Sequence, residues 1–285
     1  MRGILPDVQC HVALASYPGQ VWSDGSDMSI SPQCVSPDAK RISTWTGQFN
    51  RALTGYHDIP DACGRKNVAR EPSAENMRRI FEEPRELPTF IYMSGHTDSS
   101  GGERFYITSD SVTNGGYDSS RVIHYSEFRE KLLSEQHQEP LILVTDMCEC
   151  DNLMSGYMLV IHGGLRKLTP LLELPYVYSY GNGQVTCTKT QYHTGTEWDS
   201  ADVVHFAATS PDQQAVFFSC GSVYNLALHN VPLEKRLSLE QTVECIQVRM
   251  DTLLADAKYP QQNHRVYSSR KFDGDDFFGT LGFSF

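Results

Sequence analysis

Two uninterrupted apolar runs, Thr89–Met93 (TFIYM) and Leu141–Thr145 (LILVT), interrupt an otherwise mixed sequence. Runs of this length without polar alternation predict strands buried on both faces, the pattern of a parallel sheet. Val8–Ser16 (VQCHVALAS) predicts a first strand, Phe105–Ser109 a short one, Asp202–Ala208 (DVVHFAA) a third strand after the two apolar runs, and His264–Ser268 the last. Between these the period changes. Ala39, Ile42, Trp45, Phe49 and Leu53 recur at helical spacing and predict a helix over Asp38–Leu53. Ser73–Glu83 opens with Ser-x-x-Asn, close to a capping pattern, and carries Met77, Ile80 and Phe81 on one face. Tyr125–Glu135, Gly221–Leu228 and Ser238–Ala255 complete the predicted helices.

Strands that alternate with helices predict an α/β fold with a mostly parallel central sheet of about six strands flanked by helices. In such a sheet the ligand site lies beyond the carboxyl ends of the strands. Two segments stand outside the alternation. The Gly, Ser, Asp and Pro residues of Tyr17–Pro37 predict a loop placed to lie over a site, and the stretch from Asn152 to Ser200 is less regular, with Gly163, Gly164, Gly181 and Gly183 as breakers. The chain of 285 residues reads as one domain, divided into 1–151, an irregular linker over 152–200, and 201–285.

Composition narrows the function classes. The 24 Lys and Arg against 35 Asp and Glu leave a net charge of −11, a field that disfavours nucleic acid and anionic membrane as partners. The first residues hold no apolar run long enough for a signal peptide or anchor before Asp7, Gln9 and His11, so a cytoplasmic protein is expected. The eight cysteines are scattered, which predicts free thiols rather than a disulfide scaffold. Cys148 and Cys150 form the one close pair; a lone Cys-x-Cys, even with His162, does not give the spacing of a zinc site, although a metal or redox role for the pair is a third reading.

The chemistry gathers where the two apolar runs end. TFIYM leads into Ser94-Gly95-His96 and LILVT into Asp146-Met147-Cys148, so both runs deliver a reactive side chain to one edge of the sheet. A thiol becomes a nucleophile when a neighbouring imidazole takes its proton, which makes Cys148 and His96 a candidate dyad. For each alone the plainer reading is a hydrogen-bonded structural histidine and an inert buried thiol.

Tyr92-Met93-Ser94-Gly95-His96 resembles the Y-S-G-H-G signature of metacaspases, and Val144-Thr145-Asp146-Met147-Cys148 the strand leading to their D-S-C-H-S-G. Ser36–Trp45 is similar to that family's first helix entry and Ala74–Phe81 to the helix before the histidine strand; His205–Tyr224 is similar to its small-subunit strand, turn and helix. The separation of His96 and Cys148, 148 − 96 = 52 residues, also fits caspases. The resemblance, closest to fungal type I metacaspases without a prodomain, implies a caspase-like sandwich, with 1–151 as the large-subunit part and 201–285 as the small-subunit part. It implies a cysteine endopeptidase in which Cys148 is nucleophile and His96 general base and acid, with the backbone N–H groups of Gly95 and Cys148 as oxyanion donors. Asp38, Ser94 and Asp146 match positions that shape the substrate pocket, where two carboxylates select a peptide or protein with Arg or Lys before the cut. For Asp38 a helix N-cap is the alternative.

The sequence also departs from the family. Thr97 replaces the glycine after the histidine, and Glu149-Cys150-Asp151 replaces His-Ser-Gly after the nucleophile, which places a negative charge beside the thiol. These departures favour a second reading, a catalytically inactive caspase-like scaffold or regulator. The acidic pair that calcium-dependent metacaspases carry is missing from Val122–Ser126, and Asp110 and Asp118 alone make a poor site, so no metal and no cofactor are expected.

Overall fold

The computed structural model describes residues 8–49, 51–57, 71–113, 116–154, 157–162, 165–170, 174–190 and 200–283. Its centre is an eight-stranded sheet made of β1 (Val8–Leu14), β2 (Arg51–His57), β3 (Thr89–Ser94), β4 (Leu141–Asp146), β5 (Tyr176–Gly181), β6 (Gln184–Lys189), β7 (Val203–Ala207) and β8 (Arg265–Ser268), in the order β6-β5-β8-β7-β4-β3-β1-β2. β2, β1, β3, β4 and β7 run parallel, while β8, β5 and β6 add antiparallel at one edge.

The two apolar runs are the innermost parallel strands, and every residue of β3 and β4 is buried. Burial of each large apolar side chain stabilises the fold by roughly 1.5–3 kcal/mol, so these are among the most firmly held strands of the sheet. The helices are α1 (Pro32–Phe49), α2 (Ala74–Glu82), α3 (Tyr125–Leu132), α4 (Val223–Leu228) and α5 (Leu239–Ala257). α2 starts at Ser73, whose hydroxyl accepts the Asn76 N–H, and buries Met77, Ile80 and Phe81 as their spacing predicts. α5 starts on a full capping box between Ser238 and Gln241.

The α/β class and mostly parallel sheet agree with the sequence pattern; three local expectations do not. The predicted helix Asp38–Leu53 begins earlier, at Pro32, and stops at Phe49, because Arg51–His57 pairs with β1 as an edge strand. Leu53 matched the helical period by chance, and Thr54 and Tyr56 that follow it favour extended backbone. Asp38 is therefore inside α1 and is no N-cap. Third, the sheet has eight strands instead of about six: β2 and the hairpin of β5 and β6 were hidden, the latter within the irregular stretch 152–200, while the predicted strand at Phe105 belongs to a separate antiparallel sheet as Glu103–Ile107. In that hairpin β5 buries Tyr178 alone and β6 stays intermediate or exposed throughout, a weak pattern beside the buried runs.

Candidate active site

The parallel register pairs Ser94 at the end of β3 with Asp146 at the end of β4. His96 and Cys148 each follow two residues later, so adjacent strands deliver them to the same edge. Gly95 makes the turn between them and the neighbouring layer. Its φ is 155°, and a Cβ there would stand 2.7 Å from the Tyr17 hydroxyl and 2.8 Å from a Tyr106 ring carbon. From His96 the chain leaves the central sheet and pairs antiparallel with Glu103–Ile107.

The His96 ring is held on three sides by the loop after β1. Tyr17 stacks on it at 4.9 Å between centroids, Trp22 meets it edge-on at 5.2 Å, and Nε2 lies 2.7 Å from the Met28 carbonyl oxygen. A carbonyl only accepts, so Nε2 carries the proton and Nδ1 is left as the basic nitrogen. The backbone N–H of His96 donates to the Tyr17 hydroxyl at 3.1 Å, which itself donates to the Ile107 carbonyl at 2.6 Å. The loop predicted to lie over a site packs on the candidate base. Burial pushes the imidazole pKa down, against a raising pull from the Met28 carbonyl and Asp27.

Cys148 is half-buried and its Sγ accepts the Ala215 N–H at 3.4 Å. Burial pushes this thiol up; the Ala215 bond lowers it, and Cys150, Glu149 and Asp146 raise it further. No direct hydrogen bond joins Cys148 and His96 among the described residues. Both shifts favour a neutral thiol and a neutral imidazole over an ion pair.

The departures at 97 and 149–151 have structural roles. Thr97 Oγ1 donates to the Cys148 carbonyl at 2.8 Å and ties the histidine strand to the turn that carries Cys148. Glu149 sits at φ 50°, which turns its side chain onto Arg104 at 2.6 Å. Its charge is compensated, and burial instead is the leading influence on the thiol. Cys150 is fully buried and its Sγ donates to the Thr145 carbonyl at 3.2 Å. Asp151 is buried, with its pKa pushed up to about 6 by desolvation against the pull of Arg265 and Arg104.

Asp38, Ser94 and Asp146 are all buried. Asp146 accepts from the Tyr92 hydroxyl at 2.5 Å, and its other oxygen, Oδ1, has no hydrogen-bond partner. Burial lifts its pKa to about 6, against the lowering pull of the Ser222 and Tyr92 side chains and the charge of Arg41. Asp38 accepts the Ser222 N–H at 3.0 Å and an Arg41 guanidinium nitrogen at 2.5 Å. Burial and then repulsion from Asp146 lift it to about 7, so both carboxylates act on one region. Sequence reasoning missed Arg41, Arg104, Tyr17, Trp22, Met28 and Ala215. The two aromatics in a polar loop after β1 were a legible signal; the backbone groups of Met28 and Ala215 left none.

Among the described residues no group of three or more His, Cys, Asp or Glu side chains is placed to hold a metal ion, and no helix is long and apolar enough to cross a membrane.

No protein family matches the sequence by profile, and no curated protein matches it. Among solved structures, protein GSU0716 from Geobacter sulfurreducens is similar with a TM-score of 0.53 at 10% identity, over 92% of this chain and 93% of that one. Caspase-1 from Spodoptera frugiperda follows at TM-score 0.47 and 8% identity, over 93% and 86%, and the Drosophila initiator caspase Dronc at 0.44 and 11%, over 98% and 83%. The first of these likenesses is one of fold alone, and its name carries no activity; the two caspases lie too far away in shape to carry an argument.

Proposed function

We propose that the chain is a cysteine endopeptidase of caspase-like, metacaspase type that cuts protein or peptide chains after Arg or Lys. The observation that carries this reading is the delivery of His96 and Cys148 to one sheet edge by adjacent buried strands, with Nε2 of His96 pinned on Met28 so that Nδ1 is the basic nitrogen. In the acylation step the Cys148 proton passes to Nδ1 of His96 while sulfur bonds to the substrate carbonyl carbon. The oxyanion so formed needs donors about 3 Å away, and the N–H groups of Gly95 and Cys148 fill that role. The C–N bond then breaks as His96 returns the proton to the leaving amine, and water, deprotonated by His96, cleaves the thioester and regenerates the thiol.

Asp38 and Asp146, with Ser94 at the end of β3 beside Asp146, supply the negative charge and polar wall that select a basic side chain. No cofactor enters the reaction. Free thiols throughout the described cysteines fit a cytoplasmic setting, and net charge favours a polypeptide partner over nucleic acid or membrane. The test is incubation with a peptidyl chloromethyl ketone ending in Arg, followed by mass mapping; the adduct falls on Cys148.

The raised thiol favours one rival, an inactive scaffold that keeps the fold for a partner. On that reading no peptidyl reagent adds to Cys148.

A further inference from the structure

Arg41 is the basic side chain paired with Asp38, one of the two buried carboxylates of the candidate pocket. One Nη2 atom lies 2.5 Å from Asp38 Oδ1 and 2.6 Å from the Cys220 carbonyl, and Nε donates to Asn225 Oδ1 at 2.8 Å. Its charge also acts on Asp146. Gly221 permits this close approach: its φ is +117°, and a Cβ there would collide with both Arg41 Nη2 and Asp38 Oδ1. The side chain that neutralises the pocket acid thus belongs to the chain itself.

We propose that Arg41 is the specificity gate of this pocket, an internal basic occupant that a substrate Arg or Lys must displace. The inference rests on the reading of the site as a thiol protease with an acidic pocket. While Arg41 stays on Asp38, an incoming guanidinium meets like charge and loses one carboxylate, leaving Asp146 with its unpartnered Oδ1 as the remaining acceptor. Displacement has somewhere to go. The Arg41 side chain is 27% exposed where Asp38 is 3%, and it forms part of the wall of an open pocket of about 440 Å³ bounded by Pro37, Lys40, Trp45 and Arg249. Lys40 and Arg249 repel a guanidinium that swings outward, so the closed arrangement is the resting one. Arg41 is a positioning residue in this account: it sets which side chain the pocket accepts and touches no reacting atom.

The experiment measures labelling of Cys148 by chloromethyl ketones that differ only in the terminal side chain, Arg, norleucine or Asp, each divided by the rate with iodoacetamide, in the unaltered protein, Arg41→Ala and Arg41→Gln. Removal of the gate raises the Arg-to-norleucine ratio by about tenfold or more, a selectivity change that a merely structural role would not produce. Arg41→Gln keeps hydrogen-bonding capacity without charge, gives an intermediate ratio, and carries the test if Arg41→Ala does not fold. A ratio that is unchanged or falls overturns the gate and leaves the protease reading standing if the Arg reagent labels the unaltered protein. Preference for the Asp reagent that disappears in Arg41→Ala would make Arg41 a ligand for acidic side chains and overturn both. Failure of every peptidyl reagent on a thiol that iodoacetamide still labels removes the protease reading and the gate with it.

Discussion

The Nε2–H of His96 donates a hydrogen bond to the Met28 carbonyl, 2.7 Å away across the loop that follows β1. That bond fixes the tautomer and turns Nδ1 into the nitrogen that can take a proton from a thiol. Because burial lowers the imidazole and raises the Cys148 thiol, the two rest uncharged rather than as an ion pair. The alkylation rate of Cys148 with iodoacetamide should therefore climb continuously with pH toward and above the ordinary thiol range. A flat, fast plateau below pH 7 would mean a preformed thiolate and imidazolium.

Cys148→Ala should abolish peptidase activity, and His96→Ala should reduce it by about 10²–10⁴-fold, the range for loss of a general acid–base. Cys150→Ala should keep most activity, because that thiol is spent on the Thr145 carbonyl inside the core. Its cost is a loss of stability of about 1 kcal/mol, the usual net value of one buried hydrogen bond. Thermal melts beside peptide hydrolysis separate the two effects. If Cys150→Ala were the dead variant, the nucleophile would be misassigned.

Gly95→Ala should destabilise the protein by about 1–3 kcal/mol, since a methyl group there drives into Tyr17 and Tyr106. Both tyrosines brace the histidine strand, Tyr17 through the His96 N–H and Tyr106 through the Ser94 carbonyl. Activity should fall further than stability alone explains; urea titration and kcat on the folded variant measure each part.

The carboxylates give a pH signature with a definite sign. Asp38 and Asp146 are raised to about 7 and about 6 from an ordinary value of 3.8, so over that interval the folded state binds more protons than the unfolded chain. Their contribution to stability is lost as pH rises through those folded values. Buried His205, His229 and His264, lowered to about 3, 4 and 4, act in the opposite sense and cost stability as pH falls below 6.5. A difference measurement isolates the acid: relative to the unaltered protein, Asp146→Asn should gain stability from about pH 4 to about pH 6 and level off above that. The same variant should lose the rise in preference for Arg-ended reagents that ionisation brings between about pH 6 and 7.

The parts of this site carried by buried strands were legible in the sequence, because TFIYM and LILVT declare themselves by composition and deliver His96 and Cys148 without help from distant residues. What the sequence concealed depends on long-range contact. Arg41 meets Asn225 and Cys220 across 184 and 179 positions of the chain. By sequence the charge of Glu149 opposes thiolate formation; in the fold Arg104, from the distant segment Glu103–Ile107, pairs with it. β2 was lost for a local reason, since Leu53 fell into the helical period of the preceding segment.

The central claim is a Cys148 protease whose acidic pocket chooses basic side chains, and kcat/KM for matched peptides that differ only before the cut tests it most directly. The account predicts that Arg or Lys peptides exceed the Asp peptide by about a thousandfold or more, that Cys148→Ala cuts neither, and that Asp146→Asn erodes the preference. Efficient cleavage after Asp, or cleavage that survives Cys148→Ala, would contradict it.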